Sequence, residues 1–176
     1  NTAISVYGSQ VKTKIDTFSI NHLQPSRWAG EKSQEIKISL NSELTSKINA
    51  KNTFSAGIKI DRFLVDLNDS SMVEGQFIVD TDVSDAFNLY QGFAQIKHKF
   101  TDDIELYMGI HSQLLDLNQS FSVEPRVGFN WEINENNAIN FGYGLHSQTQ
   151  LRMIYFTRTE LDDGSIAYTN KDLDFS

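Results

Sequence analysis

The sequence predicts an all-β chain, an antiparallel up-and-down meander of long strands forming part of a transmembrane β-barrel. Three observations carry that expectation. Apolar and polar residues alternate with period two over long stretches, which gives a strand one apolar and one wet side. These stretches run about twice the ~5–6 residues usual in soluble proteins, and reach the ~9–11 needed to cross a bilayer at a tilt. Tight polar turns alternate with longer connections along the chain.

The elements follow in order. A first strand over about 5–20 is weakly patterned. Over 35–48, Ile36, Ile38, Leu40, Leu44 and Ile48 share one face, and the charges of Glu35, Lys37, Glu43 and Lys47 share the other. In the strand expected over 53–67, Phe54, Ala56, Ile58 and Ile60 oppose Ser55, Gly57, Lys59 and Asp61. Over 86–100, Tyr90, Gly92, Ala94, Ile96 and Phe100 oppose Gln91, Gln95, Lys97 and Lys99. Here Phe87, Leu89 and Phe93 fall on the polar side and break the rule. Over 104–118, Ile104, Leu106, Met108 and Ile110 oppose Glu105, Tyr107, Gly109 and His111. Over 121–133, Phe121, Val123, Pro125, Val127, Phe129, Trp131 and Ile133 oppose Ser122, Glu124, Arg126, Gly128, Asn130 and Glu132. Over 138–150, Ile139, Phe141, Tyr143 and Leu145 oppose Asn140, Gly142, Gly144, His146 and Gln148. A loop over 151–170 and a further strand beginning at about 171 complete the expectation.

Asn49–Asn52, Thr101–Asp103 and Asn134–Asn137 read as tight turns, because Asn and Asp hydrogen-bond their own backbone. Longer connections are expected near 21–34, near 68–85 and from 151, while the link at 118–120 is short. Short turns at one end and long loops at the other are the habit of outer-membrane barrels. Tyr90, Phe100, Phe121 and Trp131 sit near strand ends, where interfacial aromatic girdles belong. Val123, Val127, Phe129, Trp131, Ile139, Phe141 and Leu145 are expected to face outward and be exposed. Pro125 interrupts its strand's donors and falls near the loop end.

Composition narrows the function classes. A net charge of −8 and a pI near 4.9 argue against nucleic-acid binding, which needs clustered Lys and Arg. The absence of Cys removes disulfides and thiolate metal sites. No run of ~18 apolar residues predicts a transmembrane helix, which says nothing against a barrel. The sequence opens at Asn1 without a charged-then-apolar leader, so a targeting segment is expected to lie outside it.

Glu124, Arg126, Asn130, Glu132, Gly142, Gly144 and His146 are the candidate lumen-facing residues. Opposite charges at two-residue steps on a strand read as partners on a wet wall rather than as an acid–base pair. The four histidines fall on separate segments without ligand spacing, so no metal is expected. Gly142 and Gly144 lack the third glycine and strand-to-helix setting of a nucleotide loop; their expected role is to admit something bulky against the wall. Asp162-Asp163-Gly164 reads as a loop turn, since the other ligands of a calcium loop are missing. No enzyme activity and no cofactor are expected.

The stretch FSVEPRVGFNWEI (Phe121–Ile133), the turn NENN and AINFGYGLHSQTQ (Ala138–Gln150) resemble the barrel of TonB-dependent outer-membrane receptors of Bacteroidetes, the group with a carboxypeptidase-regulatory-like domain before the plug. LRMIYF (Leu151–Phe156), NKDLDFS (Asn170–Ser176) and NAKNTFSAGIKI (Asn49–Ile60) resemble further parts of that barrel, so the likeness covers about 35–176. The resemblance implies a middle portion of a larger barrel in a Gram-negative outer membrane. It also implies import of a scarce nutrient, with the plug and the TonB complex as partners outside this chain and the lipid bilayer around it. Gly142 and Gly144 would then face the plug. Two alternatives stay open: a small complete outer-membrane barrel with an adhesin or structural role, and a soluble β carrier. A lipocalin-like carrier would bury Ile38 and Phe129 inside.

Overall fold

The computed structural model describes the backbone of residues 2–19 and 22–176, and the side chains of residues 2–5, 7 and 28–176. Seven strands, β1 (Thr2–Ser19), β2 (His22–Lys47), β3 (Asn52–Val73), β4 (Gln76–Lys99), β5 (Ile104–Leu115), β6 (Ser120–Asn134) and β7 (Asn137–Gly144), form one sheet in sequence order. All neighbours are antiparallel. The sheet is open, with β1 and β7 at its edges. No helix among the described residues is long and apolar enough to cross a membrane, which says nothing of strands.

The tight turns form where Asn supplies their hydrogen bonds. Asn49 Oδ1 accepts from the amides of Lys51 (2.9 Å) and Asn52 (2.8 Å), and Asn134 Oδ1 accepts from the amide of Asn136 at 3.0 Å. Two expected long connections are instead strand. β2 runs through most of 21–34, and β3 and β4 zip through 68–85 to a two-residue turn at Glu74 (φ 50°) and Gly75 (φ 84°). Positive φ at both central residues matches the right-handed twist of a hairpin. The first strand is present, although residue 20 and most of its side chains lie outside the described residues.

β7 stops at Gly144 rather than reaching 150. Pro125 explains the stop: its carbonyl accepts from Leu145 N at 3.1 Å, but it has no N–H to return the bond, so the ladder ends there. The expected loop over 151–170 contains a one-turn helix, α1 (Arg152–Tyr155), and a short hairpin of β8 (Thr159–Glu160) and β9 (Ile166–Ala167). No strand begins at 171; the last residue folds back, and Gln148 and Ser176 exchange backbone hydrogen bonds of 3.0 and 3.1 Å.

The register separates two faces. Call front the face that carries Asp61, Glu105 and Glu124, and back the face that carries Ile58, Met108 and Phe141. In the half of the sheet nearer the tight turns, the back is apolar and exposed: Ile58, Met108, Ile110, Trp131, Ile139 and Phe141 all lie open. The front of that half is polar. Across the paired row Asp61–Leu89–Leu115 the pattern inverts. Beyond it the front carries Phe63, Val65, Leu67 and Phe87, all buried, while the back turns to Arg62, Asp66, Asn68, Ser84 and Asn88.

That inversion makes the core. The segment after β7 crosses the front of the far half and seats Tyr155 and Phe156, each 1% exposed, on Phe63, Phe87, Leu89 and Leu115. Phe63 stacks on Phe87 at 5.3 Å, and Phe87 meets Phe156 at 6.2 Å. Polar ties hold the segment's rim: Arg152 to Glu35 at 2.8 Å, Tyr168 Oη to the Asp82 carbonyl at 3.2 Å, and Asn118 Nδ2 to the Leu173 carbonyl at 2.7 Å. Phe87 and Leu89, two of the three exceptions to alternation, are thus core residues, whereas Phe93 lies outside the core.

Candidate functional site: the polar front face

On β6, the residues Glu124, Arg126, Asn130 and Glu132 take alternate positions on the front, and on β7 Gly142 and Gly144 lie opposite Gly128 and Arg126. Glu124 is the centre of this group. It is 2% exposed, and it gathers donors from three segments. Arg126 Nη2 (2.7 Å) and His111 Nδ1 (3.0 Å) reach Oε2. Gln113 Nε2 (2.8 Å), Ser147 Oγ (2.7 Å) and the Ser147 amide (3.1 Å) reach Oε1. A buried carboxylate is tolerated because each oxygen is satisfied. Ser147 belongs to the segment leaving β7, so Glu124 also ties that segment to the sheet.

The other predicted residues gather less. Asn130 is half-buried opposite Asn140, Glu132 is exposed near the turn end, and His146 is exposed beyond β7. A Cβ on Gly144 would stand 3.2 Å from Arg126 Cγ and 3.4 Å from His146 Nε2, so the bulk it admits is the chain's own arginine stem. A Cβ on Gly142 would meet nothing within 4 Å. Among the expected outward residues, Val123, Trp131, Ile139, Phe141 and Leu145 are exposed on the back, and Val127 and Phe129 are half-buried there.

Two further clusters on the front were not foreseen. Asp61, 1% exposed, receives Lys37 Nζ (2.9 Å) and Lys59 Nζ (3.3 Å) on one oxygen and Ser39 Oγ on the other. Glu105 holds Lys97 (2.7 Å), Lys99 (3.0 Å) and Tyr107 Oη (2.6 Å). Parity alone puts these side chains on one face; only the register brings partners from different strands together. Hollows lie over this face. One of about 420 Å³ is lined by Phe93, Gln95, Tyr107, His111 and Arg126, and one of about 270 Å³ by Lys37, Asp61, Gln91, Thr149 and Arg152.

Chemically, the face offers paired charges and hydrogen-bonding groups around open hollows. The Ser147 hydroxyl donates to a carboxylate and not to His111, so these residues do not form a Ser–His–acid relay. Among the described residues no group of three or more His, Cys, Asp or Glu is placed to hold a metal, and the His22 side chain lies outside them. Asp162-Asp163-Gly164 sits in the β8–β9 connection, where the amide and hydroxyl of Ser165 donate to Asp163 and hold its carboxyl below the usual range. Compared with known proteins, the chain matches no family model, no curated protein and no solved structure.

Proposed function

We propose that this chain is a section of the wall of a Gram-negative outer-membrane β-barrel, and that the barrel imports a scarce nutrient in a TonB-dependent way. The single observation behind the barrel reading is the inversion across Asp61–Leu89–Leu115. An exposed apolar back opposite a charged, hydrogen-bonded front is the division of a wall between lipid and a wet lumen. Past the inversion the strands follow the rule of soluble proteins, with apolar residues inward under a covering segment, as expected of a rim that has left the bilayer. From Ile104 to Leu114 the strand climbs roughly 33 Å at ~3.3 Å per residue, or about 25 Å at a ~40° tilt, the height of a barrel's apolar band. On the back of β3 to β5 a hydrogen-bonded polar row borders that band, with Ile36 and Leu64 one step beyond it: Arg62 donates to Asn88 at 3.2 Å, and Asn88 Nδ2 donates to Asp116 at 2.6 Å. A carrier that turned its apolar face inward would cover Ile38, which is 39% exposed on the back.

The transport reading rests on the sequence resemblance described above. It makes the plug, the TonB complex and a small nutrient the partners of the front face.

The chain has no Cys, so single-cysteine variants test the reading directly. With these residues carried in the complete barrel, free of other Cys and reconstituted in lipid vesicles, Phe129→Cys and Phe141→Cys are expected to resist a water-soluble maleimide. Asn130→Cys and Asn140→Cys are expected to label readily. Equal labelling of the two sets would sink the membrane reading.

A further inference from the structure

The turn end of the front face holds a concentration of positive charge that runs against the chain's composition. Lys47, Lys51, Lys97 and Lys99 line one hollow of about 410 Å³, together with Ala50 and Thr53. They come from β2, the β2–β3 turn and β4, and the register places Lys47 and Lys97 on either side of Thr53. The chain as a whole carries −8.

The four ammonium groups are not matched locally. Glu105 pairs with Lys97 and Lys99 together, one through each carboxylate oxygen. Lys51 Nζ donates only to the Phe100 carbonyl at 3.4 Å, and Lys47 makes no ion pair among the described residues. Among the described residues Glu105 is the one carboxylate paired with any of the four ammoniums, and Asp102 and Asp103 in the adjoining turn pair with none of them, which leaves positive charge unpaired at the hollow. Like charges drawn together repel unless something neutralises them. Two of the lysines are also held in place in advance. Glu105 is itself fixed by Tyr107 Oη at 2.6 Å, and Lys97 Nζ stands 5.2 Å over the Tyr107 ring. Holding charged donors before the ligand arrives lowers the ordering cost of binding.

We infer that this hollow is an anion-binding site for a solute with two or more negative charges, an oligophosphate or a polycarboxylate. Glu105 is its positioning residue. A single carboxylate would leave most of the surplus unneutralised. The site lies on the front, opposite the apolar back, so a dissolved anion fits it better than a lipid headgroup of the same chemistry. The site itself does not depend on the transport reading; the choice of a dissolved anion rests on the barrel-wall reading, and the vesicle arm tests that choice separately from the cysteine labelling.

The test titrates the full-length protein, in a neutral detergent, with inorganic tripolyphosphate and follows the heat of binding. Saturable binding that weakens with added salt is expected. Lys47→Gln and Lys97→Gln should each weaken it about fivefold, and Lys47→Arg with Lys97→Arg should retain it. Lys171→Gln, at the opposite end beside Asp85, should leave it unchanged. The retained strand signal in circular dichroism and the arginine pair guard against loss of fold. A second arm presents vesicles of phosphatidylglycerol and of phosphatidylcholine. No saturable tripolyphosphate binding, or equal binding by the glutamine variants, overturns the site. Binding to phosphatidylglycerol vesicles alone overturns the assignment to a dissolved anion.

Discussion

A Cβ on Gly57 would stand 2.5 Å from the Phe93 ring, so the glycine makes room for an aromatic side chain lying across the neighbouring strand. This is why Phe93 can occupy the polar front: its ring covers bare backbone rather than meeting water. Gly57→Val should therefore cost about 1–3 kcal/mol in urea unfolding of the complete barrel from lipid vesicles, as overpacking does. Adding Phe93→Ala should recover most of that loss, and a double variant no better than the single one would refute the contact. The neighbouring positions Phe129 and Asn130 test the faces with one substitution. Phe129 pairs with Phe141 on the back, and Asn130 with Asn140 on the front. On the proposed barrel reading, Phe129→Arg in the complete barrel is expected to cost roughly 2–4 kcal/mol of folding free energy in vesicles, because an Arg placed against lipid would lose its water. Asn130→Arg stays wet and should cost far less. Equal effects would reverse or abolish the face assignment.

Among elements, the segment after β7 depends most on the others. It has a helix of one turn and a hairpin of two-residue strands, neither stable alone. Its position comes from Tyr155 and Phe156 in the front-face core, and from Ser147 on Glu124. Phe156→Ala removes a ring that is 1% exposed and should weaken docking by about 3–5 kcal/mol. Arg152 and Arg158 flank that ring, so trypsin reports the loss. Cleavage there should accelerate in the variant, with β5–β7 cut no faster. An unchanged rate at both arginines would mean that something other than this core holds the segment.

At the scale of the molecule, the open edges matter most. β1 and β7 each present one side without a strand partner among the described residues. Unpaired backbone groups cannot remain in hydrocarbon, and in water a long free edge recruits other chains. The back adds exposed Phe121, Phe141, Tyr143 and Trp131 to those edges. Residues 1–176 taken alone are therefore expected to neither insert into bilayers nor stay monodisperse without detergent. Light scattering behind a sizing column checks this. A soluble monomer with a cooperative melt would favour the carrier, and a heat-modifiable, protease-resistant band in detergent would favour a small closed barrel.

Period two by itself located the strands from β2 to β7, though not their ends, since a strand's successive side chains point to opposite faces whatever surrounds it; the first strand was weakly patterned. The Asn-rich turns were equally legible, because their hydrogen bonds are local. The extensions of β2, β3 and β4 were not. There the alternation continues with its faces exchanged, so Phe87 and Leu89 read as errors until the segment carrying Tyr155 and Phe156 is seen to cover them. Glu124, Arg126, Gly142 and Gly144 were assigned to one face from parity, but the partners of Glu124 lie on β5, β6 and the segment beyond β7. Likewise, the lysines at the turn end become one site only through the pairing of β2, β3 and β4. Sequence carries which side a residue faces, because that is a property of one strand. Tertiary structure decides what it faces, because burial and charge pairing depend on side chains brought together from distant parts of the chain.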